Sequence, residues 1–413
     1  MLIQPPTRRL FPPPNPAIKD APALRNKGEH PVQVLTVGGQ VELRRRYFWS
    51  KICSGLYPVD GLMGIDWSAV SPGAREICCT MGVIQDFAQG ADDLGRITGL
   101  RISKERLRQI TEQEGSTVSG VRRDGTLPPS WSADEARVDS GRRTRVYVGV
   151  DGVKVRTVTQ EEKHKRRRQH SIRRQQRGST GVGNQKPLPP ARPGHDDRFK
   201  EFKIGLFYDQ SKSLRHTFAT DGDHQALGRV LREHADAIGL ERASEQISLT
   251  DGAPWIRNQI LQYLKQLDAT LLDFYHFSEH VWETARVCLG TGDETNIWVK
   301  DRLDEIKATG YRPVLAAIDL LNKKVRAESK RENLRRLRQY IVERWEMVEY
   351  PQALARGWDI GSGPTEAACK NLTLRLKRTG MKWDADNASA IMNLVAMRES
   401  GQWDAYWKNL RCA

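Results

Sequence analysis

RVYVGVDGVKVRTVT (145–159) decides the fold class. It is rich in β-branched residues and alternates apolar with polar, the pattern of a half-buried strand. Asp151-Gly152 stands between two such runs and predicts a hairpin turn there. Downstream, EFKIGLFYD (201–209) and LRHTFAT (214–220) read as further strands. HQALGRVLREHADAIG (224–239) is an amphipathic helix closed by Gly239. ISLTDG (247–252) is a short apolar strand ending in an acid, and PWIRNQILQYLKQL (254–267) a helix with Pro254 in its first turn. ATLLDFYHF (269–277) reads as one more buried strand. Residues 145–277 therefore run β-β-β-β-α-β-α-β, an α/β pattern.

The text before this block is different. Residues 1–30 are Pro-rich and polar and read as a disordered tail. VQVLTVGGQVELRRRYF (32–48) predicts a hairpin about Gly38-Gly39. From 73 to 116 the spacing is helical, and RISKERLRQITEQEG (101–115) has Ser103 placed as an N-cap and Gly115 as a C-cap. Lys104, Arg106 and Arg108 make that helix basic. Two helices about a short turn suit a DNA-binding helix-turn-helix; an ordinary helical hairpin with solvated charges is the alternative. Residues 31–116 are thus a mostly helical N-terminal DNA-binding region, and 117–144 a linker.

Within the α/β block, EEKHKRRRQHSIRRQQRGSTGVGNQKPLPPARPGHDD (161–197) interrupts the strands. Residues 163–177 hold eight Lys and Arg, too many for core, so 161–198 reads as a mobile basic loop. Lys165, Arg166, Arg167, Arg168, Arg173 and Arg174 are candidate phosphate contacts, tolerant of sequence and sensitive to salt. After the block, 278–358 is helical throughout, and 359–413 gives a Gly-rich turn and further helices.

The whole chain of 413 residues carries 66 Lys and Arg against 51 Asp and Glu, a net +15 that favours polyanions. The six cysteines form no C-x-x-C pair and no disulfide framework, which fits a reducing cytoplasm. No apolar run approaches the roughly 18 residues that suggest a membrane span. The N-terminus lacks the apolar core of a signal peptide. A cytoplasmic, nucleoid-associated protein with no membrane partner is expected.

Three acids stand at informative places. Asp151 closes VYVGV, Asp251 closes ISLT, and Glu366 lies in the first turn of the helix after GSGP. Acids at strand ends and a helix start can converge at one edge of a sheet. Phosphodiester chemistry needs such a cluster, since two Mg²⁺ ions roughly 3.5–4 Å apart activate one oxygen and stabilise the other. Taken singly each acid has a structural reading: Asp-Gly is a common turn, and Glu suits a helix N-terminus.

YVGVDG, SLTDGAPWI and GSGPTEAACK resemble the three acidic motifs of bacterial insertion-sequence transposases of the DDE superfamily. The resemblance spans about 145–400 and places Asp151, Asp251 and Glu366 on the matching acidic positions. It implies an RNase H-like catalytic core, a mixed sheet with flanking helices, interrupted by an all-helical insertion at 278–358. Asp273-Phe-Tyr-His276 is similar to the [Cys/Asp]-x-x-His element of several such groups, so Asp273 and His276 are expected to support the site from behind the metal ligands. Two ions, Mg²⁺ or Mn²⁺, are implied, with double-stranded transposon ends and target DNA as partners and a homo-oligomer on DNA. Lys370, Arg375, Lys377 and Arg378 extend a basic strip past Glu366. Trp255, four residues after Asp251, either packs beneath the site or stacks a base. Two other readings stay open: an inactive or domesticated relative that only binds DNA, and a nuclease that cuts without joining.

Overall fold

The computed structural model describes residues 24–51, 54–65, 68–138, 141–177 and 187–411. The chain forms two compact units. The first comprises Met1–Pro128, Arg156–Lys200 and Leu372–Ala413; the second comprises Pro129–Val155 and Glu201–Asn371. Among the described residues no helix is long and apolar enough to cross a membrane. Cys78, Cys79, Cys288 and Cys369 are buried and form no disulfide among the described residues, while Cys53 and Cys412 lie outside them.

The chain opens with β1 (Arg25–Thr36) and β2 (Gly39–Ser50), an antiparallel hairpin to which β3 (Ser54–Leu56) adds a third strand. Gly39 takes φ +109° at the turn, a conformation that favours glycine. The disorder expected over 1–30 does not extend to residues 25–30. Residues 25–30 pair with β2, and 1–23 lie outside the described residues. Helices α1 (Pro58–Leu62), α2 (Pro72–Ile84), α3 (Phe87–Thr98) and α4 (Lys104–Arg123) follow. Ser103 caps α4 by accepting from the Arg106 amide at 3.1 Å.

Past α4, the expected linker at 117–144 is partly ordered: α4 runs into it as far as Arg123, and Trp131, Ala133 and Ala136 join the core of the second unit. Next comes β4 (Arg145–Arg156), one unbroken strand. The hairpin expected at Asp151-Gly152 is absent. Gly152 does not take a positive φ, and the alternation of VYVGV continues through VKVR without the left-handed residues a tight turn requires.

The basic segment also differs from expectation. Residues 160–176 form α5 (Gln160–Gln176) rather than a loop, while 178–186 lie outside the described residues. Thr159 caps it by accepting from the Glu162 amide at 3.3 Å. Glu161 and Glu162 then sit in its first turn and Arg173 and Arg174 in its last, both favoured by the helix dipole. No α5 residue is buried.

The remaining strands are β5 (Phe199–Asp209), β6 (Arg215–Thr220), β7 (Glu245–Thr250) and β8 (Ala269–Leu272). Between them lie α6 (His224–Ile238) and α7 (Pro254–Tyr263). The five strands of the second unit form one mixed sheet in the order β6-β5-β4-β7-β8. β5 and β6 are antiparallel; β4, β7 and β8 are parallel. One face buries Val146, Val148 and Val150 with Leu227 and Leu231 of α6 and Ile256 and Ile260 of α7. The other buries Tyr147, Ile247 and Leu249 with Trp358 and Ala368. The α/β class read from the sequence is the class observed.

The strand expected over 269–277 stops at Leu272, because Asp273 turns the chain into α8 (Phe274–Leu289). α9 (Asp293–Thr309), α10 (Tyr311–Lys324) and α11 (Glu328–Glu343) follow. Each of these helices touches the next, and α11 returns to α8, so four helices enclose a core of Val281, Val299, Ile306, Val314, Leu334 and Ile341. After α12 (Tyr350–Ala355) come α13 (Gly363–Leu374), α14 (Ala385–Glu399) and α15 (Trp403–Arg411).

Residues 372–413, read from the sequence as part of the sheet's core, group with the N-terminal helices. α14 lies on α4, where a Cβ on Gly115 would stand 2.3 Å from the Ala390 carbonyl oxygen. Gly115 thus permits a close helix crossing and is not the cap expected of it.

Candidate active site

The parallel pairing of β4 with β7 brings two acids near one another. In the parallel pair, Tyr147 lies opposite Ile247 and Gly149 opposite Leu249. Two residues further, Asp151 lies within β4 and Asp251 just past the end of β7, close enough for the charge of Asp251 to act on the Asp151 carboxyl. Side chains alternate along a strand, so Asp151 shares the face of β4 that holds Tyr147, and Asp251 follows β7, whose Ile247 and Leu249 line that face. That is also the face on which α13 packs through Ala368.

Gly149 sets how closely α13 approaches. A Cβ there would fall 1.9 Å from Oγ1 of Thr365, the residue before Glu366. One turn along, the Cys369 thiol donates to Asp151 Oδ2 at 3.5 Å. Glu366 occupies the first turn of α13, exposed, and its carboxylate has no hydrogen bond or ion pair among the described residues. Asp151 Oδ1 accepts from the Gly152 amide at 2.6 Å, and Asp251 Oδ1 from the Ala253 amide at 2.9 Å.

Burial pushes the Asp151 carboxyl above its usual range. The Gly152 amide and Cys369 thiol oppose this, while the negative charges of Asp251 and Glu201 add to it. Glu201, on β5, is a further acid the sequence did not single out. A Cβ on Gly152 would lie 3.0 Å from its Oε1, and Lys203 Nζ pairs with its Oε2 at 3.1 Å. Trp255 packs beside the same glycine and stacks on His224 at 4.6 Å between ring centroids, which favours its packing role.

Asp273 and His276 part company. Asp273 is almost wholly buried; its Oδ1 caps α8 by accepting from the Tyr275 amide at 2.6 Å and the His276 amide at 3.2 Å. Its Oδ2 accepts from the Ser362 amide at 2.9 Å and from the Ser362 hydroxyl. Asp273 therefore ties the end of β8 to the turn that launches α13, and orients Glu366 through the backbone. His276 lies in the first turn of α8, not on a strand, 3.7 Å from Glu279 and edge-on to His280.

Arg344, just past α11, is the residue the sequence hid most completely. Its Nε donates to the carbonyl of Gly252, the neighbour of Asp251, at 3.1 Å. Tyr340 lies beneath it, 4.2 Å from guanidinium to ring centre. Burial pushes the Tyr340 phenol up, and the charges of Asp251 and Asp273 add to the shift. Nothing in KKVRAESKRENLRRLRQYIVERWEM distinguishes Arg344 from its basic neighbours.

The donor set is of the kind hard divalent cations prefer: carboxylate oxygens from a strand, from the loop after a second strand and from a helix, and around Asp151 negative charges already repel one another. Among the described residues the three carboxylates do not all approach within 4.8 Å of each other, so no single ion is caged by all three as they stand. When bound, such ions stabilise charge on the attacked and leaving oxygens of a phosphodiester.

The basic candidates divide. Lys104, Lys370, Lys377, Lys165, Arg166, Arg168, Arg173 and Arg174 are exposed, and Arg167 is half-buried. Arg106 turns inward to the Ser68 carbonyl, and Arg108 pairs with Glu105 and Glu112. Arg375 is not a phosphate contact as expected. It is buried between Phe87 and Trp383 and donates to the Gly82 carbonyl at 3.2 Å, so it is structural. Arg378 donates to the Ile84 carbonyl at 2.6 Å.

No protein-family model matches the chain. It is similar to a UPF0236 protein in the vanSb 3′ region of Streptococcus gallolyticus, at 20% identity over 381 residues, covering 91% of this chain and 74% of that one.

Proposed function

We propose that the protein is a DNA transposase with an RNase H-like core, cutting phosphodiester bonds at transposon ends with Asp151, Asp251 and Glu366 holding two divalent ions. The observation that carries this reading is that Asp251, just past the end of β7, lies near enough to Asp151 on β4 to act on its carboxyl, while α13, the helix bearing Glu366, packs on the same sheet face. The four-helix insertion between the second and third acids agrees with what the resemblance implies. The exposed cations of α5 suit double-stranded DNA as substrate. Joining of the freed 3′-hydroxyls to target DNA, and assembly as a homo-oligomer on paired ends, rest on the resemblance.

The test is nicking of supercoiled plasmid DNA by the full chain with Mg²⁺ or Mn²⁺. Asp251→Asn is expected to lower the rate by roughly 100-fold or more, while gel-shift binding to the same DNA stays within about twofold. Equal nicking by both proteins rules the three acids out. Metal-independent inactivity of both, with DNA binding intact, favours the binding-only relative. Incubation with pre-cut ends then separates a transposase, which forms joined product, from a nuclease, which does not.

A further inference from the structure

We infer that the helical insertion completes the acid site by supplying Arg344, whose guanidinium binds a phosphate of the nucleic-acid strand lying beside Asp251. This rests on the reading of the three acids as a phosphodiester site.

Arg344 carries a charge that no buried carboxylate among the described residues matches. The Arg344 side chain is only 14% exposed, yet its nearest carboxylate is the exposed Glu343 at 3.5 Å, at the limit of a hydrogen bond. Its other bonds go to neutral carbonyls, Gly252 at 3.1 Å and Tyr340 at 3.3 Å. Nη2 has no hydrogen-bond partner among the described residues. A cation this enclosed is normally matched by an anion. The guanidinium carbon sits over the Tyr340 ring, 4.2 Å from its centre, and a guanidinium fork so supported matches two phosphate oxygens.

The backbone facing Arg344 is shaped to admit it. Gly252 takes φ +74°, and a Cβ there would stand 2.9 Å from Arg344 Nε and 2.7 Å from Leu272 Cδ1. The glycine after the second acid is thus the floor on which a side chain from the insertion rests. The Tyr340 hydroxyl is buried beside Asp251 and Asp273 without a hydrogen bond, so the ring acts as a platform for Arg344. A purely structural strap needs only the two carbonyl bonds. It does not account for a positive charge placed one residue from an acid expected to meet a phosphodiester.

The experiment uses the full chain, supercoiled plasmid DNA and Mn²⁺, with Arg344→Met and Arg344→Lys. Arg344→Met is expected to lower kcat/KM for nicking by about 100-fold, within the range for loss of a buried charge contact, with the Mn²⁺ half-saturation unchanged. The slope of log kcat/KM against log salt should flatten by about one, the signature of one lost phosphate contact. Arg344→Lys should restore at least a tenth of the wild-type value and most of the slope. Unchanged nicking in Arg344→Met overturns the inference. So does lost nicking with an unaltered slope and no rescue by lysine, which is the pattern of a structural strap. If Arg344→Met does not fold, Arg344→Gln takes its place: a slope flattened by about one with wild-type Tm supports the contact, and a wild-type slope overturns it. If the wild type itself shows no Mn²⁺-dependent nicking that Asp251→Asn removes, the acid site falls first, and this inference with it.

Discussion

Gly149 carries more of the site than its size suggests. It lets Thr365, and with it the first turn of α13, approach β4 two residues before Asp151. Gly149→Ala forces a shift of Thr365 or of the helix, which is expected to destabilise the protein by about 1–3 kcal/mol. Nicking should fall further than stability, because Glu366 moves with the helix. Parallel measurement of Tm and nicking rate checks this; wild-type activity in the alanine variant would show that α13 is not positioned there. The acids themselves were legible in the sequence because each ends an apolar run or begins a helix. Gly149 was not, since a glycine inside a strand marks a close approach without naming its partner. Arg344 was hidden for a related reason. Its carbonyl acceptor belongs to Gly252, far away in the chain, and its basic helical neighbourhood reads as solvated surface.

At the scale of the element, α5 departs furthest from its sequence reading. Its apolar content is too low for a helical stripe, so periodicity is silent; capping and charge order stabilise it instead. Its first turns are fastened by Lys163 to Asp384 and by Glu162 to Lys382, while Arg166, Arg168, Arg173 and Arg174 remain exposed. A rigid row of charges meets a duplex at fixed spacing, which a loop does not. Replacing those four arginines by glutamine is expected to flatten the salt dependence of duplex binding by about three to four in log–log slope. Fluorescence anisotropy with a duplex of unrelated sequence, over a range of salt, measures it; an unchanged slope removes α5 from the interface. β4 errs in the opposite direction. Asp-Gly is a strong turn signal locally, but here the strand is buried on both sides and paired with β7 and β5, and tertiary pairing overrides the dipeptide.

The molecule as a whole carries a pH dependence in its first unit. Burial pushes Glu112 up from 4.5 to about 7, against the pull of Arg108, with Glu105 and Asp384 adding to the rise. The folded state then holds a proton that the unfolded chain releases between those values. Stability from this group is full below about 4.5, falls as pH rises towards about 7, and is level above. Glu112→Gln keeps the neutral form at every pH. It should match the wild type near pH 4.5 and exceed it by about 1–3 kcal/mol near pH 8. Urea melts at the two pH values test this, and equal differences at both would remove Glu112 as the cause. The grouping of the chain was the part least legible in the sequence. Order along the text placed 372–413 with the sheet, but helix faces far apart in sequence meet wherever their apolar stripes match.

That grouping governs how the protein is made. The first unit is assembled from three separated stretches, and Leu394 and Met397 of α14 and Trp407 of α15 share one core with Cys79, Val83 and Val118 of α2 and α4. During synthesis α2 and α4 leave the ribosome early, and the face they share with α14 waits uncovered through residues 124–384 until α14 emerges. The second unit needs none of that late segment and can close first. Biogenesis therefore runs against the order of the chain: the part made first is finished last, and its waiting helices are the surface on which a chaperone, or misassembly with a neighbouring nascent chain, acts.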